Sequence, residues 1–64
     1  MDARELERAV RKALAEVKRR REMYSTCMLT SDIDGCREEQ QALADAQKRL
    51  AALQHKLAEA ERRS

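Results

Sequence analysis

Apolar residues recur every three or four positions along residues 3–27, and the same spacing returns along residues 36–60 after one short break. In the first segment the repeating positions are Ala3, Leu6, Val10, Ala13, Val17, Arg20, Tyr24 and Cys27. In the second segment they are Cys36, Glu39, Leu43, Ala46, Leu50, Leu53, Leu57 and Ala60. This spacing places side chains along one face of an α-helix, so each segment predicts an amphipathic helix.

Folding the chain back at the break gives every residue of the first stripe a partner in the second. The pairs are Ala3 with Ala60, Leu6 with Leu57, Val10 with Leu53, Ala13 with Leu50, Val17 with Ala46, Arg20 with Leu43, Tyr24 with Glu39, and Cys27 with Cys36. We call this double row the seam. It predicts an all-α fold, an antiparallel two-helix hairpin that resembles a coiled coil. Helices are expected over residues 3–27 and 36–63, with a turn over 28–35, all within one unit of residues 1–64.

Local signals agree with these boundaries. Asp2 is a candidate N-cap of the first helix, with Glu5 at the spacing of a capping box. Residues 29–35 contain Ser, Thr and Asp side chains, which compete with helical hydrogen bonds, and Gly35, the one glycine of the chain. Asp32 or Asp34 could cap the second helix.

The length of 64 residues limits what the hairpin can do alone. Two helices bury only one side of each apolar stripe and cannot enclose a core. We therefore expect the hairpin to complete a four-helix bundle, either as a homodimer or with a helical protein partner.

Charge argues against several classes of function. The 14 basic and 12 acidic residues leave a net charge of only +2, a balance typical of solvated helix faces and unlike that of strong nucleic-acid binders. Residues 25–45 contain one basic and five acidic groups, whereas residues 46–64 contain five basic and two acidic groups. The turn end of the hairpin is thus acidic and the open end basic. No apolar run is long enough to span a membrane, and no export signal is recognisable, so a cytoplasmic location is expected.

Cys27 and Cys36 face each other in the seam. A disulfide between them would staple the hairpin, and the short spacer is compatible with the Cα separation that a disulfide needs. The alternative is two free thiols in a reducing cytoplasm, which we favour because the chain lacks an export signal.

Metal sites and cofactors are not expected. Two cysteines at this spacing match no common zinc pattern, and His55 lies on the outer face of the second helix. Residues 30–35 resemble part of a calcium-binding loop, but Thr30 and Gln41 occupy places where calcium needs an Asp and a bidentate Glu. Turn formation explains Asp32 and Asp34 better.

The densest basic cluster is Lys18-Arg19-Arg20-Arg21. It could meet phosphates, but pairing with Glu16 and Glu22 along the helix explains it more simply. Arg20 is unusual because it lies in the seam opposite Leu43. Glu39 could accept its charge and Tyr24 could complete a polar group that determines register and partner choice.

Catalysis is not expected. The chain has one histidine, no Gly-rich phosphate loop, and no Ser, His and acid arranged for nucleophilic attack.

Two segments carry a family resemblance: Ala13-Leu14-Ala15-Glu16-Val17-Lys18-Arg19 and Gln41-Ala42-Leu43-Ala44-Asp45-Ala46. With the hairpin layout, they make the chain similar to small helical-hairpin co-chaperones of type III secretion needle subunits. The resemblance implies a cytoplasmic protein that, with a tetratricopeptide-type partner, keeps the needle subunit unpolymerised. It carries no signature residue over to this chain.

The sequence therefore predicts a non-enzymatic protein–protein interaction module, such as an adaptor, inhibitor or co-chaperone. The expected contact residues are Leu6, Val10, Leu14, Val17, Leu43, Leu50, Leu53 and Leu57. The alternative is a dimeric four-helix-bundle RNA-binding regulator of the ROP-like kind, with Arg11, Lys12, Arg19 and Arg21 on one face. The near-zero net charge and the single aromatic residue disfavour it.

Overall fold

The computed structural model describes residues 2–63 and is an antiparallel hairpin of two α-helices. Helix α1 spans Ala3–Thr30 and helix α2 spans Arg37–Arg63. A single 3₁₀ turn, Asp34–Cys36, leads into α2. The Cα atoms extend over 48 × 14 × 13 Å, so the molecule is a rod whose long axis follows the helices. The predicted all-α hairpin is confirmed.

The start of α1 follows the predicted cap. The Asp2 carboxylate accepts a hydrogen bond from the backbone N–H of Glu5 at 2.9 Å, and the Asp2 carbonyl accepts one from the N–H of Leu6 at 3.0 Å. These contacts satisfy two of the amide groups that a helix N-terminus leaves without intrahelical partners.

The end of α1 differs from the prediction, because the helix continues three residues beyond Cys27 to Thr30. Thr30 was expected to compete with the helix. Instead, the Thr26 hydroxyl donates to the carbonyl of Glu22 at 2.9 Å, and the Thr30 hydroxyl donates to that of Cys27 at 3.3 Å. Threonine hydroxyls that bond back to the preceding turn allow the helix to continue. The turn is correspondingly shorter than residues 28–35.

Asp32 caps the entry to the second helical segment. Its Oδ1 accepts a hydrogen bond from the backbone N–H of Gly35 at 2.9 Å. Asp34, the other candidate, forms an exposed ion pair with Arg37 at 3.0 Å. Gly35 does not have a positive φ. A Cβ at Gly35 would stand 3.3 Å from the Cβ of Ser31, so the close approach of the chain explains the glycine.

The core is a thin strip between the two helices. Its buried apolar residues are Leu6, Ala13, Val17, Cys36 and Ala46. The larger seam residues Val10, Leu43, Leu50, Leu53 and Leu57 are only half-buried, and Ala3 is exposed. As expected for two helices, each stripe is covered on one side alone. Neither helix combines the length and apolar character that crossing a bilayer requires.

Candidate protein-interaction surface

The two sides of the seam differ in chemistry. In an antiparallel helix pair, the residues that follow the Ala13 and Ala46 positions lie on the same side of the seam. On α1 that residue is Leu14, and on α2 it is Gln47. The seam positions nearest to this side hold most of the larger apolar residues of both helices. We call it the Leu14 face, whose apolar residues are Val10, Leu14, Val17, Leu43, Leu50 and Leu57.

Leu14 is the central exposed apolar side chain of this face. It is 48% exposed, although it belongs to the middle of a helix that packs against another helix. With Val17 and Leu50 it lines a shallow depression whose wall is completed by Arg21. The packing of α1 against α2 thus leaves an apolar surface around Leu14 exposed to solvent.

The α2 side of the Leu14 face has no charged residue over five turns. Glutamine and alanine alternate there at intervals of four and three residues, which keeps them in one row along the helix. We call this row the Gln/Ala stripe; its members are Gln40, Ala44, Gln47, Ala51, Gln54 and Ala58. All of them except Ala44 are exposed, and Ala44 is half-buried. A neutral row of short and amide side chains lets another helix approach closely.

The opposite side of the seam carries charged and apolar groups together, and Met23 is 46% exposed there. A depression there is lined by Ala9, Lys12, Ala13, Glu16, Ala46, Arg49 and Leu53. Six of the eight residues expected to make contacts lie on the Leu14 face. The other two are Leu6, which is buried between the helices, and Leu53, which lines the depression on the opposite side of the seam.

Arg20 pairs with Glu16 along α1, as the simpler explanation of the basic cluster predicted, and not with Glu39 across the seam. Arg20 Nε donates to Glu16 Oε1 at 3.2 Å, and Arg19 Nη2 donates to Glu16 Oε2 at 3.3 Å. The hydrogen bond from Arg20 is the main reason that the pKa of Glu16 lies below its ordinary value. Glu39 lies instead beside the sulfur of Cys27, with Oε2 and Sγ 4.0 Å apart. Glu16 reaches Arg20 first because it is one turn away on the same helix.

Cys27 and Cys36 are joined by a disulfide, with their Cα atoms 6.0 Å apart. Of the two alternatives, the structure has the cross-link and not the free thiols that we favoured. Cys36 is fully buried and Cys27 half-buried. The bond holds the seam in the register in which these residues face each other, and it closes the turn end of the hairpin.

The tip of the hairpin has a second exposed apolar patch that the heptad pattern does not predict. Leu29 is 85% exposed and Ile33 55% exposed, next to the carboxylates of Asp32 and Asp34. These residues lie beyond the seam, so helical periodicity says nothing about them.

No metal centre emerges from residues 2–63. No three His, Cys, Asp or Glu side chains in that range converge as metal ligands would. His55 lies on the outer side of α2, where its Nε2 is 3.1 Å from Glu59 Oε1.

Comparison with protein-family models, curated proteins and solved structures gives no significant match to this chain.

Proposed function

We propose that this protein is a non-enzymatic protein–protein interaction module that binds a helical partner through the Leu14 face. One observation carries the proposal: four of the five large seam residues that remain half-buried, Val10, Leu43, Leu50 and Leu57, lie on the Leu14 face, with Leu14 projecting at its centre. Burying apolar surface is the main driving force of protein association, at about 25 cal/mol per Å². Exposed apolar patches in small proteins commonly mark such contact sites.

A helix is the partner that fits this surface. The Leu14 face is straight, follows the long axis of the hairpin, and presents its residues at helical spacing. An amphipathic helix laid along it would complete a bundle, which is how helix-in-groove recognition works. A co-chaperone role, which the resemblance to secretion co-chaperones implies, would use the same face.

An RNA-binding role receives less support from the geometry. Arg19 and Arg20 both bond to Glu16, so part of the basic cluster is neutralised within α1. Phosphate binding depends on accessible positive charge and on the release of counterions.

The proposal can be tested by site-specific photo-crosslinking in the cells that make the protein. A benzophenone-bearing residue would replace Leu14 in one variant and Arg8, which is exposed on the outer side of α1, in a control variant. We expect protein adducts of discrete mass from position 14 and none from position 8. Adducts from neither position would overturn the proposal, and adducts removed by ribonuclease would favour the RNA-binding alternative.

A further inference from the structure

Two opposite charges flank Leu14 symmetrically on α1. Glu7 lies seven residues before it and Arg21 seven residues after it, so each is two helical turns away in the same row, about 10.5 Å along the axis. Both side chains are exposed, and neither forms an ion pair with another described residue. Glu7 and Arg21 are complementary to each other: when two copies run in opposite directions about Leu14, Glu7 of each copy meets Arg21 of the other. Arg11 and Lys18 also lie on this side of α1, and the same arrangement brings Arg11 near Lys18 of the other copy, so the attraction between Glu7 and Arg21 acts against that repulsion.

The Gln/Ala stripe of α2 is complementary in side-chain size to the same stripe of an antiparallel second copy, at the height of Leu14 along the rod. The Cys27–Cys36 bond fixes the seam register, in which Leu14 stands level with residue 49. Residue 49 is also the midpoint of the Gln/Ala stripe. Antiparallel stacking about this level places Gln47 against Ala51 of the other copy and Gln54 against its Ala44. Each long side chain then meets a short one, as close packing requires.

The distribution of charge along the rod favours the same direction. An antiparallel arrangement places the acidic tip, residues 25–39 with one basic and four acidic groups, beside the open end of the second copy, where residues 46–64 hold five basic and two acidic groups. A parallel arrangement would bring the two acidic turns together, and it would place α1 over the partner's α2, where Glu7 has no Arg21 to meet. Opposite charges in register attract and like charges repel, so orientation follows from electrostatics.

The available area is sufficient for a stable dimer. The whole molecule measures 48 Å by 14 Å between Cα atoms on its broad side, so two copies stacked along their full length would cover roughly 1,300 Å² in total, within the roughly 1,200–2,000 Å² of specific interfaces. Side-chain relief increases the real accessible area further.

We propose that the partner of the Leu14 face is a second copy of this chain, bound antiparallel about a two-fold axis at Leu14, with Glu7 and Arg21 paired across the interface. This inference rests on the proposed function and specifies its partner. The result is a four-helix bundle in which α1 packs on α1 and α2 on α2.

Charge exchange at the two positions tests the arrangement. The dissociation constant of the dimer would be measured by light scattering over a concentration series, with circular dichroism to verify helicity. Glu7→Arg or Arg21→Glu alone places like charges opposite each other at two symmetric positions, and we expect dimerisation to weaken by roughly tenfold. The double variant recreates both pairs with the charges reversed and is expected to recover wild-type affinity within about threefold. The loss in each single variant should shrink at 1 M salt.

The matched control exchanges Arg8→Glu and Glu22→Arg, two exposed charges on the outer side of α1. Neither single control variant should change the dissociation constant by more than about twofold. A dimer insensitive to the Glu7 and Arg21 exchanges would overturn the antiparallel arrangement. A helical monomer at all concentrations that still gives photo-adducts with another protein from position 14 would overturn self-association and leave the proposed function standing.

Discussion

Arg20 Nε and Glu16 Oε1 lie 3.2 Å apart, so the one cation in the α1 half of the seam is paired within its own helix. Opposite Leu43 the charge would be costly if it remained without a partner. The Glu16 carboxylate also accepts from Arg19, and one acidic side chain thus holds two guanidinium groups at the edge of the seam.

This pairing makes stability depend on pH in a definite direction. Because the folded-state pKa of Glu16 is lowered, mainly by the hydrogen bond from Arg20, its contribution is present above the ordinary value of 4.5 and is lost as the pH falls through the folded-state pKa. We expect Glu16→Gln to be less stable than wild type at pH 7, with the difference shrinking towards pH 3. Urea unfolding followed by circular dichroism at both pH values would measure it. Glu22→Gln, at an exposed position, is the control, and an equal difference at both pH values would contradict the prediction.

The Cys27–Cys36 bond should stabilise the hairpin chiefly by restricting the unfolded chain. For a closed loop of this length the chain-entropy estimate is about 2–3 kcal/mol. We expect a reducing agent to lower the urea midpoint of the wild-type protein but not that of a Cys27→Ala/Cys36→Ala variant. Protein concentration must be held constant, since association also shifts the midpoint. Equal midpoints with and without reductant would show that the cross-link adds nothing.

A substitution at Leu50 tests both the register of the seam and the contribution of the Leu14 face. Its side chain lines the depression shared with Leu14 and Val17, so Leu50→Glu would place a charge without a partner against apolar groups. We expect it to dissociate or unfold the protein, at a cost of about 2 kcal/mol or more. Leu29→Glu, at the exposed tip, is the control and should retain wild-type helicity and mass. If Leu50→Glu did the same, the proposed register would be wrong.

The two turn aspartates should differ in their effect on stability. Asp32 accepts the backbone N–H of Gly35, and losing such a cap costs about 1 kcal/mol. Asp34 forms an exposed ion pair with Arg37, which is worth little in water. We therefore expect Asp32→Ala to lower the free energy of unfolding by about 1 kcal/mol and Asp34→Ala by less than about 0.5 kcal/mol. Thermal unfolding of the two variants side by side would reveal a reversed order, which would contradict this assignment.

Helical periodicity predicted the fold because it reports which side chains share one face. Two apolar stripes on either side of a short break can cover each other in a hairpin, and the pairing of their members, Cys27 with Cys36 among them, predicts the register. The Asp2 cap could also be predicted from the sequence, since a capping residue binds backbone amides only a few positions away. The extension of α1 to Thr30 was not, because a threonine hydroxyl can either compete with the helix or bond back to it.

The sequence by itself determined the two helices, their antiparallel pairing, the acidic turn end and the basic open end, because periodicity and charge order are properties of the linear chain. Only the tertiary structure decided how much of Leu14 and of the larger seam residues stays exposed, and that Arg20 pairs with Glu16 while Glu39 lies beside Cys27. It also placed the cysteine sulfurs within bonding distance. These outcomes depend on how side chains of different size pack where the two helices meet, and on which of several nearby groups forms a contact. The spacing of residues along the chain specifies neither the packing nor the contact.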